Sequence, residues 1–302
     1  MSTYSHPGIS FDQGKFDPMR IMAVTHTLTE HPLLQLPKLV ALCGRLEKVR
    51  YHDDQANAGT NFTTAPQTNA AKRSALETIS DIENAKAWLA LHNIQMDEEY
   101  RGLVDEVLDS VRSRVEAKDP GMHARAGWIF VTSPNAVTPY HMDHEHNFIL
   151  QIRGTKTVHV FPPLDRGIVT ERSLELFHHD WSRELVVYDK TFESRASVLE
   201  LRPGMGGYMP QTSPHWVQNG PEVSVTISFT YHTRAVRERE LLHKGNYKLR
   251  KWGLAPRPVG QSRSIDAAKL RLFSAMEVGA RMRRRLGGKQ LQDPRKLAYA
   301  VG

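Results

Sequence analysis

The chain has 302 residues, 40% of them hydrophobic and 24% charged, proportions ordinary for a globular protein holding one large domain or two small ones. No run approaches the roughly 18 apolar residues of a transmembrane helix, and the single cysteine, Cys43, excludes an intramolecular disulfide and any cysteine-rich zinc site. The net charge of +7 is uneven, because residues 234–302 hold 18 Lys and Arg against 5 Asp and Glu, a local net of +13 that can mark an anionic partner or a plain solvated face. The first residues, Met1 to Pro7, lack a basic head followed by an apolar core, so no signal peptide is expected. With one cysteine, this favours a reducing, cytoplasmic setting.

In chain order, Pro37 to Gly44 reads as a short helix and Val49–His52 as a strand. Asp53 to Ala71, rich in Asn, Thr, Ala, Gly and Pro, reads as a loop. Ser80-x-x-Glu83 has the form of a capping box and predicts a helix over 81–92, with Ile82, Ala85, Trp88 and Leu89 on its apolar side and Trp88 as core. A second helix starts near Asp97, with Tyr100, Leu103, Val104, Val107, Leu108, Val111 and Val115 at helical spacing. From Ala126 the texture changes to short strands and turns. Strands are predicted at 128–131, 138–143, 148–161 (two, with a turn at Arg153-Gly154), 184–188, 196–201, 208–209, 215–218 and 222–231. His178, His179 and Trp181 fall in an insertion that can wall a substrate cleft. After Thr233 the chain turns helical. Ser264 is the expected N-cap of a helix whose seam is Ile265, Ala268, Leu272, Ala275, Gly279, Met282 and Leu286, with Gly287-Gly288 ending it.

The chemistry concentrates at Thr138-Pro-Tyr-His-Met-Asp-His-Glu-His-Asn147 and at the distant His215. Residues i and i+2 of a strand share a face, so His141 and Asp143 aim an imidazole and a carboxylate at one point. His215 adds a third ligand, and two His with one carboxylate suit a non-haem Fe(II) oxygenase site with open positions. Lys156 shares a strand face with Val158 and Val160. A lysine buried on such a face needs an anion, which a dicarboxylate cosubstrate would supply. His144 and His146 are expected in supporting or surface positions, and Trp216 in packing.

Gly204-x5-Pro210-x-Thr212-x2-His215-x3-Asn219 is similar to the second conserved box of cupin barrels, with Thr212 standing where that box has glycine. The first cupin box is incomplete, since Leu150 and Gln151 occupy its Glu positions. Residues 138–163 resemble the JmjC-type, cupin-like Fe(II)/2-oxoglutarate dioxygenases, the family of the asparaginyl hydroxylase that modifies hypoxia-inducible factor. The resemblance spans roughly residues 126–233. It implies a mainly β fold, a double-stranded β-helix (a cupin/JmjC-like jelly roll) with N- and C-terminal helical flanks. The expected division is a flank at 1–125, the barrel at 126–233 and a basic helical region at 234–302.

The resemblance further implies His141, Asp143 and His215 as iron ligands and Lys156 and Thr138 on the distal carboxylate of 2-oxoglutarate. Asn147 lines the cosubstrate pocket, and Ser228 stands near the position of a second amide. The expected activity is hydroxylation, or oxidative demethylation, of a protein or small-molecule substrate. The alternatives are a non-catalytic metal- or ligand-binding cupin and a cupin isomerase. The look-alike hydroxylase dimerises through C-terminal helices, so a homodimer is expected here, with the off-seam arginines free for an anionic partner.

Overall fold

The computed structural model describes residues 6–46, 49–52, 74–180 and 187–286. Its strands are β1 (Ile9–Ser10), β2 (Met22–His26), β3 (Val49–His52), β4 (Trp88–Leu91), β5 (His123–Thr132), β6 (Val137–His141), β7 (His146–Arg153), β8 (Lys156–Val160), β9 (Ser197–Leu201), β10 (Met205–Met209), β11 (His215–Asn219) and β12 (Ser224–His232). The helices are α1 (Leu36–Cys43), α2 (Ala75–Ser80), α3 (Glu98–Glu116), α4 (Glu171–Asp180), α5 (Arg234–Lys251) and α6 (Arg263–Leu286).

The strands form two antiparallel sheets, ordered β1-β2-β10-β7-β12-β5-β4-β3 and β6-β11-β8-β9. From β6 onward the chain repeatedly changes sheets, and this winding makes the double-stranded β-helix. At the β7–β8 crossing Gly154 sits at φ 70°, where a side chain is disfavoured. Every residue of β7 but Arg153 is buried, because both faces are covered. Phe148, Leu150 and Ile152 join Ile129, Ile227 and Phe229 in a core under α3, whose Leu103, Val104, Val107, Leu108 and Val111 supply the helical stripe. Ile149 turns the other way and packs with Val158, Val160, Met209 and Val217 between the two sheets. A third cluster, Tyr140, Phe161, Val169, Leu174 and Phe177, lies under the segment that follows β8.

Several expectations need correction. The helix over 81–92 does not form. Ser74 and Glu77 make the capping box and open α2, which ends at Ser80. Lys86 sits at φ 52°, which breaks any helix there, and Trp88 to Leu91 instead extend the large sheet by pairing with β5. The helix before β5 is α3, capped at Asp97 as expected. Val187 and Tyr188 are not in a strand, and the rest of the expected 184–188 strand lies outside the described residues. So do the expected loop at 53–71 and the Gly287-Gly288 terminator. Helix α6 begins at Arg263, one residue before the expected cap.

The regions on either side of the barrel pack closely against it. Strand β2 pairs with β10, so part of the N-terminal flank completes the large sheet. Helix α5 starts directly after β12 with Thr233 as its cap. Phe273 of α6 is buried, whereas Leu272 and Met282 on the expected seam are 53% and 59% exposed. Among the described residues no helix is long and apolar enough to cross a membrane.

Candidate metal centre

Strand β6 ends at His141 and pairs antiparallel with β11, whose first residue, His215, stands directly opposite His141. The two rings lie 4.2 Å apart. Asp143 follows on the turn after β6, its carboxylate 3.9 Å from His141 Nε2 and 3.7 Å from His215 Nε2. The three donor atoms all lie within 4.8 Å of one another, and no other group of three or more His, Cys, Asp or Glu among the described residues meets that criterion.

The backbone sets which nitrogen is free. His141 Nδ1 is 2.7 Å from the Pro139 carbonyl and His215 Nδ1 is 3.0 Å from the Ser213 carbonyl. A carbonyl only accepts, so each Nδ1 carries the proton and each Nε2 keeps its lone pair toward Asp143. The Asp143 segment is tied to the His215 segment by Thr212, whose N–H donates to the Asp143 carbonyl at 2.8 Å. Thr212 sits at φ 56°, the left-handed region that explains why the cupin box has glycine there.

Around this triad lies a cavity of about 150 Å³, with Thr138, Asn147, Lys156 and Ser228 in its wall. The structure thus brings together all seven residues singled out in the sequence. Lys156 is only 7% exposed, and burial lowers its ammonium to about 7. Among the described residues no carboxylate pairs with it. Asn147 Oδ1 and Thr230 Oγ1 are buried without a hydrogen-bond partner. Two neutral imidazole nitrogens and a carboxylate suit Fe(II) or a similar divalent ion, and a buried ammonium beside unpaired amide and hydroxyl groups suits a carboxylate ligand. The residues present therefore fit both a metal and a dicarboxylate.

Sequence reasoning missed other parts of the wall: Trp88, His92, Trp128, Phe130, Glu145 and Thr230. Thr230 and Glu145 were signalled by parity, lying two residues from Ser228 and Asp143. The β4 and β5 residues were not, because β4 was read as helix. Trp88, expected in the core, is half-buried against this cavity. The insertion after Pro163 does not line it. There α4 packs on α5, and His178 stacks on His243 at 5.4 Å. His144 stacks on Phe177 at 3.8 Å, and His146 is wholly buried with Nε2 3.3 Å from Asp119. Trp216 packs as expected, stacked on His159 and donating to Glu193 at 2.9 Å.

The matches with known proteins agree with this architecture. The family model of the cupin-like domain matches residues 29–236, and the chain belongs to that family. It is similar to the zebrafish (Danio rerio) HSPB1-associated protein 1 homolog, 27% identical over 117 residues, covering 36% of this chain and 26% of that protein. The mouse (Mus musculus) HSPB1-associated protein 1 is 26% identical over 117 residues, covering 36% of this chain and 24% of that protein. These matches span about a quarter of the length of each curated relative. Among solved structures, the Escherichia coli ribosomal oxygenase YcfD shares the fold at a TM-score of 0.50 and 14% identity, over 91% of this chain and 68% of that chain.

Proposed function

We propose that the protein is an Fe(II)- and 2-oxoglutarate-dependent oxygenase that hydroxylates, or oxidatively demethylates, a protein or small-molecule substrate. The observation that carries this reading is Lys156, a buried ammonium without a carboxylate partner in the same cavity as the His141–Asp143–His215 cluster. A metal-binding cupin or a cupin isomerase has no need of that cation. Fe(II) with 2-oxoglutarate and oxygen, when bound, supplies an oxidant able to attack an unactivated C–H bond. His141, Asp143 and His215 would hold the metal and leave its remaining positions open. Lys156 and Thr138 would take the distal carboxylate, with Asn147 and Ser228 beside them. In this reading residues 126–233 carry the catalytic barrel, 1–125 buttress it, and 234–302 form a separate helical region.

Lys156→Ala is expected to weaken 2-oxoglutarate binding at least tenfold, the scale of a charge-assisted hydrogen bond. Zinc or cobalt affinity should change little, because Lys156 is outside the metal cluster. Calorimetry on metal-loaded protein measures both. Equal 2-oxoglutarate affinity in wild type and variant would make Lys156 structural. The same titration has a pH signature. With its pKa lowered to about 7, free Lys156 is largely neutral above pH 8, and a bound dianion raises that pKa again. Binding therefore takes up a proton, and affinity should fall by up to about tenfold per pH unit above 7.

We also propose a homodimer through α6, whose exposed Leu272 and Met282 face away from Phe273 and its own barrel. Leu272→Glu should then give monomers in sedimentation, because a carboxylate would be forced into an apolar contact. A wild type already monomeric at micromolar concentration would end the idea. Cations off the seam would then be free for an anionic partner, whose binding must weaken as salt rises.

A further inference from the structure

The cavity holds a donor that none of the expected cosubstrate contacts uses. The Trp128 indole Nε1 is buried and has no hydrogen-bond acceptor, although Trp128 lines the same cavity as the triad and Lys156. An indole N–H can only donate, so leaving it dry and unpaired costs about 1–3 kcal/mol unless a ligand supplies the acceptor. Its place in the fold is fixed. Trp128 stands opposite Ser228 on β12, and Ser228 stands opposite Ile149 on β7, so the three form one row across the inward face of the large sheet.

The strand that carries the indole is clamped from behind. At Gly127 a Cβ would lie 2.7 Å from both Ile94 and Val104, so β5 is pressed onto the segment before α3 and onto α3 itself. The Gly127 N–H also donates to Gln95 Oε1 at 3.1 Å. On the cavity side the His92 ring lies 4.0 Å from the Trp128 ring. Held from both sides, the indole is a preorganised donor rather than a mobile one.

Resting on the oxygenase reading above, we propose that Trp128 is a cosubstrate-binding residue, its indole N–H donating to a carboxylate oxygen of the bound 2-oxo dicarboxylate. Three features favour an anionic acceptor. The neighbouring polar groups, Ser228, Thr230 and Asn147, can all join a carboxylate network. Lys156 brings a positive charge to the same cavity. A donor-only group adds to the stabilisation of an anion and contributes nothing to holding a cation. The bulk of the indole would also narrow the space beside Ser228 and disfavour cosubstrates broader than a straight-chain dicarboxylate.

Trp128→Phe keeps an aromatic ring against His92 and removes the N–H. Calorimetry with 2-oxoglutarate on zinc-loaded protein should show affinity about tenfold or more weaker in the variant, the usual worth of a hydrogen bond to a charged group. Zinc affinity should be unchanged. A second readout separates a bonded donor from mere packing. In ¹⁵N-correlated spectra of zinc-loaded wild type, the indole signal absent from Trp128→Phe should move downfield when 2-oxoglutarate is added, and its exchange with water should slow. An unmoved indole signal at saturating 2-oxoglutarate, or an unchanged affinity in the variant, would overturn the proposal while leaving the oxygenase reading intact. Wild type that binds zinc but no 2-oxoglutarate would overturn both.

Discussion

Asp143→Ala is expected to remove divalent-metal binding from the barrel and reduce 2-oxoglutarate turnover to background, while the fold survives. Asp143 is the carboxylate of the cluster, 3.9 Å and 3.7 Å from the two imidazole nitrogens. Without it two neutral ligands face a divalent ion and no negative charge offsets it at the centre. Losing partners one shell further out from a metal already costs about 10–100-fold in affinity, so loss of a direct carboxylate should cost more than about a hundredfold. The backbone should not follow. The tie between Asp143 and Thr212 uses the Asp143 carbonyl, which alanine keeps, and the carboxylate is not part of the apolar core. Cobalt(II) titration followed by visible absorption measures affinity, and circular dichroism checks the fold. Wild-type cobalt affinity in Asp143→Ala would mean that the cluster is not the metal site.

The triad was readable because its geometry is local or nearly so. His141 and Asp143 are two residues apart, and His215 sits in a box whose turn residues are recognisable. Lys156 was readable because alternation with Val158 and Val160 put it on an inward face. Strands β1 and β2 were not readable, since β2 is held by β10, some 180 residues away along the chain, and its own pattern is short. Residues 82–91 misled because Ile82 and Leu89 are both core residues at a helical interval, yet they belong to different elements joined through Lys86. A short apolar run cannot be assigned by period alone. That single error hid the aromatic wall of the cavity.

Thr212 shows where a motif and its exception meet. The backbone of the cupin box needs a left-handed residue before the ligand His, and this chain keeps that backbone with a β-branched side chain at a cost of about 1–2 kcal/mol. The N–H bond to Asp143 and the buried position of Thr212 hold the turn in place.

Acid should destabilise the protein well before its carboxylates titrate. Between α4 and α5, His178 and His243 are 2% and 3% exposed. Burial, then the charges of Arg166, Arg239 and Lys269, lowers His243 from 6.5 to about 3. Glu171 lies 3.7 Å from its Nδ1 but is already engaged by Arg166 at 2.7 Å. Burial, then neighbouring histidines, holds His178 well below 6.5. In the unfolded chain both protonate near 6.5, so below that pH the unfolded state binds more protons than the folded one. Stability is therefore full above about pH 6.5 and is lost progressively as pH falls toward the folded values. One such group loses about 1.4 kcal/mol per pH unit, so from pH 6.5 to 5 the pair should remove about 4 kcal/mol. That is a large part of the roughly 5–15 kcal/mol typical of a domain. Buried His146 and His26, also shifted down by burial, add to the same slope. Urea unfolding with chelator present, at pH 7.5 and 5.0, measures the loss. His243→Gln, which cannot protonate, should shrink the difference between the two pH values by about 2 kcal/mol. Equal wild-type stability at both would show that these histidines are charged in the folded protein, against the burial argument.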